Sequence, residues 1–216
     1  MNHNFKNLVF EGGGVKGIAY GGALKIIDSM NILSGIERVA GTSAGAITAC
    51  LLAVGYSADD VSKIVASTDF NSFKDKTWLP GNLCRFFRKY GYYIGDTFLD
   101  LLGKLIEAKT DNKDFTFGDL ERDKEKKGYK ELFVVVTNLT KQKVQVLSHE
   151  HDKDLPIRIA VRMSMSIPLF FKAYNWKNNI MVDGGVSWQY AGAHSRITAG
   201  ASGEAVCGTL PDFKWG

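Results

Sequence analysis

Residues 38–54 read RVAGTSAGAITACLLAV. Residues 38–40 form a short run before a turn at 41–45 that begins and ends with glycine. Residues 46–54 are almost wholly apolar. This order predicts a brief strand, a tight turn and a helix. A helix without a polar face is normally buried. We therefore expect Ser43, at the centre of the turn, to lie at the junction of a strand and a buried helix.

The turn has the form Gly-x-Ser-x-Gly, with Gly41 and Gly45 two residues to either side of Ser43. A sharp strand-to-helix turn crowds its central serine, so the neighbours at these two positions must be small. The strained backbone holds the hydroxyl outward, and the dipole of the following helix stabilises negative charge there. The motif predicts a nucleophile elbow. The competing interpretation is an ordinary glycine-rich turn with a helix-capping serine.

A similar unit comes first in the chain, where residues 8–10 predict a strand that ends in the loop EGGGVKG at 11–17. A helix is predicted over residues 18–30, so the loop offers backbone amides at a helix start, which can bind phosphate or an oxyanion. The loop also fits the Gly-x-Gly-x-x-Gly of dinucleotide sites. That function is disfavoured because Glu37 precedes the second strand, whereas the required acid follows it. A purely structural glycine turn stays open.

A third glycine-marked turn, Asp183-Gly184-Gly185, follows a predicted strand at residues 180–182. A partly desolvated carboxylate within hydrogen-bond reach of a serine can take its proton directly. This pattern makes Asp183 the candidate general base, against the alternative of a turn aspartate that bonds to its own backbone. The chain has four histidines, none of them at an evident strand end: His3, His149, His151 and His194. We expect His149 and His151 to be surface residues.

Strands alternate with helices over most of the chain, which predicts a central, mainly parallel sheet flanked by helices. Residues 132–136 form an unalternating apolar run, typical of a strand covered on both faces. Residues 144–147 are predicted to be its hairpin partner, and residues 119–127 a solvated, charge-rich surface. In such α/β sheets, sites form where strand ends meet helix starts. All three glycine-marked turns lie at such ends.

Length and composition indicate one globular domain, with 216 residues of which 45% are hydrophobic and 23% charged. The three cysteines include no CxxC pair, so neither a disulfide framework nor a thiolate zinc site is supported. No apolar run approaches the roughly 18–20 residues that span a bilayer, and the first residues do not resemble a signal peptide. We expect a cytoplasmic protein or one peripheral to a membrane.

The net charge of +4 is unevenly placed. Residues 70–93 hold five basic residues and one acidic residue, together with eight aromatic residues. Basic and aromatic residues together suit single-stranded nucleic acid, and they also suit a surface of anionic lipids. Packed aromatic residues beneath a solvated basic face are the third interpretation.

In combination, the three glycine-marked motifs at 12–17, 41–45 and 183–185 resemble the patatin-like phospholipase family. Residues 164–168, which read SMSIP, are similar to the small-residue and proline segment that precedes the aspartate in that family. The resemblance covers about residues 5–190. It implies a patatin-like three-layer α/β fold and a serine lipid acyl hydrolase of the phospholipase A or lysophospholipase type.

The resemblance also implies roles for residues. Ser43 is expected to be the nucleophile, Asp183 the general base, and the amides of Gly13, Gly14 and Val15 the oxyanion hole. It implies no metal or organic cofactor and a phospholipid or other acyl lipid as substrate. In this context, residues 70–93 are predicted to contact a membrane surface and not nucleic acid; no particular protein partner is predicted.

Residues 191–216 depart from the family pattern, because they are rich in Gly, Ala, Ser and Thr with no clear period. We expect an acyl hydrolase domain over residues 5–190 and an atypical tail, truncated or replaced, over residues 191–216. Two alternatives remain. One is a catalytically silent patatin-like protein that binds lipid or a partner. The other is a Ser-His-Asp α/β-hydrolase that uses His194, disfavoured because its elbow would sit on the second strand and its histidine in the tail.

Overall fold

The alternating strands and helices fold into a mixed sheet with helices packed against it. The computed structural model describes residues 5–67, 91–188, 198–199 and 204–207. Its strands are β1 (Asn7–Phe10), β2 (Arg38–Thr42), β3 (Gly91–Tyr93), β4 (Glu131–Asn138), β5 (Lys143–Leu147), β6 (Leu169–Phe171), β7 (Tyr174–Trp176), β8 (Asn179–Asp183), β9 (Thr198–Ala199) and β10 (Glu204–Cys207).

The described α-helices are α1 (Ala19–Ser29), α2 (Ala44–Ala53), α3 (Ala58–Ser67), α4 (Asp96–Thr110), α5 (Phe117–Lys127), α6 (His149–Asp152), α7 (Ile157–Ser164) and α8 (Gly185–Trp188). The helices predicted at residues 18–30 and 46–54 are present as α1 and α2, and the described residues contain further α-helices. Two 3-10 helices cover Gly14–Ile18 and Leu33–Gly35. Within the described part of the chain, no helix is both long and apolar enough to cross a lipid bilayer.

The main sheet has the order β7-β8-β4-β2-β1-β10-β9. The remaining strand, β5, lies off this order and also pairs with β4. Its four central strands, β4, β2, β1 and β10, run parallel, and the outer pairs are antiparallel. This confirms the predicted α/β class and the parallel centre of the sheet. All eight residues of β4 are buried, as its unalternating apolar run predicts, and β5 is its antiparallel hairpin partner.

Two strands meet end to end along one edge of β4. β2 runs parallel to β4 and its last residue, Thr42, pairs with Val135. β8 runs antiparallel to β4 and its last residue, Asp183, pairs with the next residue, Val136. Because β5 occupies the opposite edge at these positions, β2 and β8 share one edge with their carboxyl ends facing each other. This topology brings the turn after β2 next to Asp183.

Helix α2 lies directly behind this junction. All ten of its residues are buried, as its lack of a polar face predicts. Gly41 and Gly45 permit the close approach of β2, α2 and β1. A Cβ atom at Gly41 would overlap the Gly45 carbonyl, and one at Gly45 would overlap the Phe10 carbonyl. The two glycines of the elbow are therefore required by packing.

Residues 119–127, predicted to be a solvated, charge-rich surface, form most of helix α5, and none of their charged residues is buried. A capping box starts the helix: the Thr116 hydroxyl accepts from the Asp119 amide at 3.0 Å, and the Asp119 carboxylate accepts from the Thr116 amide at 3.1 Å. Phe117 and Leu120 are buried, while most of the charges face solvent. The dense charge obscured the two apolar anchors in the sequence.

Two predicted segments lie largely outside the described residues. Of the basic and aromatic residues 70–93, the structure describes β3, which pairs in parallel with β6. Of the tail at residues 191–216, it describes β9 and β10. β10 pairs in parallel with β1 along all four of its residues, so part of the tail extends the sheet.

Candidate active site

The glycine loop after β1 packs against the elbow after β2. β1 and β2 are parallel neighbours, so the turns at their carboxyl ends lie side by side. A Cβ atom at Gly12 would stand 3.1 Å from Ser43 Cβ, and one at Gly17 would stand 3.0 Å from Ala44 Cβ. Glycine at these two positions thus lets the loop approach the elbow more closely than a residue with a side chain would.

The loop turns into a 3-10 helix whose first amides point away from the helix. Gly14 has φ +54°, a left-handed conformation that glycine adopts without strain. The first hydrogen bond of this turn runs from the Lys16 amide to the Gly13 carbonyl at 3.1 Å. The amides of Gly14 and Val15 therefore have no acceptor within the helix. Such amides are suitable donors for an oxyanion.

Ser43 has the strained backbone predicted for an elbow. Its φ of 54° and ψ of −128° are rare for a residue with a side chain, and such a conformation costs about 1–3 kcal/mol. Ser43 stands at the N-cap position of α2, but its side chain makes no capping hydrogen bond within the described part of the chain, so the competing interpretation of a serine that caps the helix with its hydroxyl is not supported. In this rotamer the hydroxyl donates toward Met165 Sδ at 3.8 Å.

Asp183 is buried at the end of β8, with 5% of its surface exposed. Its Oδ1 accepts from the Gly185 amide at 2.7 Å, which is the local backbone bond that the alternative for Asp183 predicts. This bond accounts for one oxygen. Oδ2 is buried and has no hydrogen-bond partner among the described residues. A buried acceptor without a partner destabilises the folded state, and a catalytic role is one reason for a protein to keep it.

Burial raises the pKa of the Asp183 carboxyl above its ordinary value. The neighbouring Ser43 hydroxyl and the Gly185 amide lower this pKa, but burial is the larger cause. The carboxylate is consequently a stronger base than an exposed aspartate. Proton transfer from Ser43 requires its hydroxyl to turn from Met165 toward Oδ2, and such contacts often tighten only when substrate binds.

Ser43 and Asp183 line one pocket of about 140 Å³ together with Gly13 and Gly14. The other lining residues are a glycine and three apolar residues: Gly185, Ile167, Pro168 and Val186. The structure thus brings together the predicted nucleophile, the predicted base and two of the three predicted oxyanion residues. Val15 is the next residue of the same loop, and its amide lies at the helix start described above.

One group of described residues has the composition of a metal site, and it lies elsewhere. Glu121, Glu131 and His149 each present one potential ligand atom, all within 4.8 Å of one another. Lys124 Nζ binds one oxygen of Glu121 at 2.7 Å, and Arg38 Nε binds one oxygen of Glu131 at 3.1 Å. His149 Nδ1 lies 3.1 Å from the other Glu131 oxygen. Lys124 and Arg38 thus pair with the two carboxylates, and His149 lies beside Glu131 at the start of β4.

His149 is therefore partly buried in this group, contrary to the expectation that it lies on the surface, whereas His151 is exposed. Neither histidine lines the pocket of Ser43. His3 and His194 lie outside the described residues, so the alternative that uses His194 stays a prediction.

Sequence reasoning missed two residues that form hydrogen bonds with the backbone of the two candidate catalytic residues. Ser164 and Ser166, both fully buried, contact the backbone of Ser43 and of Asp183 respectively. The sequence placed them only in a family-like segment. Ser164 is 121 residues from its partner Ser43, and no local pattern indicates either contact.

Together, the fold and the pocket define an α/β protein with a serine elbow, a glycine loop beside it and a buried aspartate opposite. A family model described as "Patatin-like phospholipase" matches residues 8–189. The chain belongs to the patatin-like phospholipase family.

Similar proteins are found among viruses and bacteria. YqhO of Bacillus subtilis (strain 168) is 34% identical over 193 residues, which are 82% of this chain and 62% of YqhO. "Probable lipid hydrolase 463L" of Invertebrate iridescent virus 6 is 27% identical over 84% of this chain and 60% of its own length. The chain thus spans about three fifths of the length of these relatives.

The crystal structure of VipD from Legionella pneumophila shares the fold. It superimposes with a TM-score of 0.72 over 85% of this chain and 46% of VipD, at 21% sequence identity.

Proposed function

We propose that this protein is a serine acyl hydrolase that cleaves fatty acyl esters of lipids through a Ser43–Asp183 dyad. The observation that carries the proposal is the meeting of a strained, buried serine with a buried carboxylate whose Oδ2 has no partner among the described residues, in one pocket. Membership in the patatin-like phospholipase family and the name of the viral relative 463L support a lipid ester as substrate.

The first half-reaction forms an acyl-enzyme. Ser43 Oγ attacks the ester carbonyl carbon while its proton passes to Asp183 Oδ2. The carbonyl oxygen becomes negatively charged and accepts hydrogen bonds from the amides of the glycine loop, Gly13, Gly14 and Val15. Collapse of the tetrahedral intermediate breaks the bond to the leaving alcohol, which takes the proton from Asp183.

The second half-reaction releases the fatty acid. A water molecule attacks the acyl carbon of Ser43, and Asp183 takes its proton. The same amides stabilise the second oxyanion. When this intermediate collapses, the proton returns to Ser43 Oγ and the free acid leaves.

The part of the pocket that the described residues line has room for the reacting ester but not for a whole lipid. Its volume of about 140 Å³ lies below the roughly 300–1,000 Å³ of sites that enclose a drug-sized ligand. Apolar side chains surround it, and Val186 and Leu169, the residue after Pro168, are 39% and 59% exposed. An acyl ester whose chain extends along an apolar rim fits this shape.

Release of free fatty acid from mixed phospholipid vesicles tests the proposal. We expect the wild-type protein to release fatty acid and the composition of the products to identify the acyl position. A folded protein that binds vesicles without releasing fatty acid would support the catalytically silent alternative.

The pH dependence of hydrolysis follows from the raised pKa of Asp183. The base must be ionised to accept a proton, so activity is lost as the pH falls through this raised pKa. We expect the acid limb of kcat/KM for a soluble ester to lie above the ordinary aspartate pKa of about 3.9. Circular dichroism over the same pH range verifies that the protein stays folded, and a limb at or below the ordinary value would contradict the assignment.

We also propose that residues 70–93 contact an anionic membrane surface. Each basic residue near such a surface contributes about 1 kcal/mol. We therefore expect reversal of Arg85, Arg88 and Lys89 to glutamate to weaken binding to anionic vesicles by at least about tenfold in sedimentation. The matched control reverses three exposed lysines on the described helices: Lys104, Lys126 and Lys127. Equal binding by the two triple variants would refute the role of this segment.

A further inference from the structure

The end of α7 lies between the segments that carry Ser43 and Asp183. β2 and β8 share an edge of β4 end to end, so no ladder of hydrogen bonds joins one to the other. Each strand is hydrogen-bonded to their common neighbour β4. Residues 164–166 make further hydrogen bonds to the backbone of Ser43 and of Asp183.

Ser164 is fully buried and its hydroxyl makes two hydrogen bonds of opposite kind. It accepts from the Ser43 amide at 2.9 Å and donates to the Val135 carbonyl at 2.7 Å. An amide can only donate and a carbonyl can only accept, so this position requires a group that does both. A hydroxyl meets that requirement, and alanine does not. Val135 is the residue of β4 that pairs with the end of β2.

Ser166 ties the base to the same segment. Its carbonyl accepts from the Asp183 amide at 3.0 Å. Its hydroxyl accepts from Arg162 Nη1 at 2.7 Å and donates to the Arg162 carbonyl at 3.0 Å. The buried Arg162 guanidinium also donates to the Lys172 carbonyl at 3.2 Å and lies 5.0 Å from the centre of the Phe171 ring. Ser166 is thereby held firmly in place.

We propose that Ser164 is a positioning residue, which holds the strained Ser43 backbone through its amide and, with Ser166, fixes the separation of the nucleophile from Asp183. The inference rests on the proposed function. A strained backbone persists only where its surroundings hold it. At Ser43, the Ser164 hydroxyl accepts a hydrogen bond from the strained residue's own amide. Small displacements of a nucleophile lower its rate strongly.

The test compares Ser164→Ala with Val61→Ala, a truncation in the buried stripe of α3 that destabilises the fold outside the pocket. We expect kcat for p-nitrophenyl butyrate to fall by about 10- to 100-fold in Ser164→Ala with KM nearly unchanged. The rate at which a fluorophosphonate labels Ser43 falls in parallel. Val61→Ala keeps both rates when measured at a temperature where it is folded. Values of kcat and labelling rate for Ser164→Ala within twofold of those for Val61→Ala would overturn the proposal.

Ser164→Cys serves if the alanine variant does not fold, because cysteine keeps a small side chain at this position whose thiol is a weaker donor and acceptor than a hydroxyl. A loss of kcat in the folded cysteine variant supports the positioning role, and wild-type kcat overturns it. The wild-type protein is measured first. If it neither hydrolyses ester nor labels at Ser43, the proposed function fails. If it does both, the variants decide the role of Ser164 alone.

Discussion

Replacement of Ser43 with alanine is expected to reduce fatty acid release by about 10⁴-fold or more, since the proposed nucleophile is removed. The fold is expected to survive. Alanine is as strained as serine at a φ of 54°, so the melting temperature should change little. Hydrolysis of vesicles and of a soluble ester, measured beside thermal unfolding, checks both parts.

Ser43→Gly is the matched control. Glycine adopts a positive φ without strain, so this variant should be as inactive as Ser43→Ala but more stable by about 1 kcal/mol. The pair separates the chemistry of the hydroxyl from the strain of the backbone. Activity in either variant near that of the wild type would refute Ser43 as nucleophile.

Asp183→Asn is expected to lower kcat by about 10²- to 10⁴-fold, the usual contribution of a general base. It should also raise stability by about 0.5–2 kcal/mol, because the wild type buries a carboxylate whose Oδ2 has no partner among the described residues. The asparagine oxygen can still accept from the Gly185 amide. Steady-state kinetics and thermal unfolding at neutral pH test the two effects together.

The stability gain of Asp183→Asn should depend on pH in a defined direction. Burial raises the folded-state pKa of Asp183 above the unfolded value, so the folded protein binds this proton more tightly. The carboxylate therefore destabilises the fold progressively as the pH rises from about 3.9 through the raised pKa. The difference in melting temperature should vanish below about pH 3.9 and be full above the raised pKa. A difference that is independent of pH, or near-normal activity of the variant, would contradict the assignment.

The local features of the site could be predicted from the sequence, and its assembly could not. The apolar run of α2 and the spacing of Gly41 and Gly45 are local signals of a buried helix and a tight turn, and both were confirmed. The direction of β8 is not encoded locally. That strand runs antiparallel to β4, and this direction makes the end of β8 meet the end of β2.

Contacts between distant segments account for the other omissions. Ser164 lies 121 residues from Ser43, and a serine near a helix end has no sequence signal for such a contact. His149 was expected on the surface because its neighbours are polar, but tertiary packing places it beside Glu131. At Asp183, the predicted alternative also proved partly true, since Oδ1 forms the local bond to Gly185 while Oδ2 stays available.

The proposed dyad is tested most directly by identifying the residue that a fluorophosphonate labels. The folded wild-type protein is incubated with a fluorophosphonate and analysed by peptide mass spectrometry, with Ser43→Ala and Asp183→Asn treated in parallel. The dyad predicts one adduct on Ser43, none on the Ser43→Ala protein and a much slower reaction of the Asp183→Asn protein. Folded wild-type protein that stays unlabelled, or that is labelled at another residue, would contradict it.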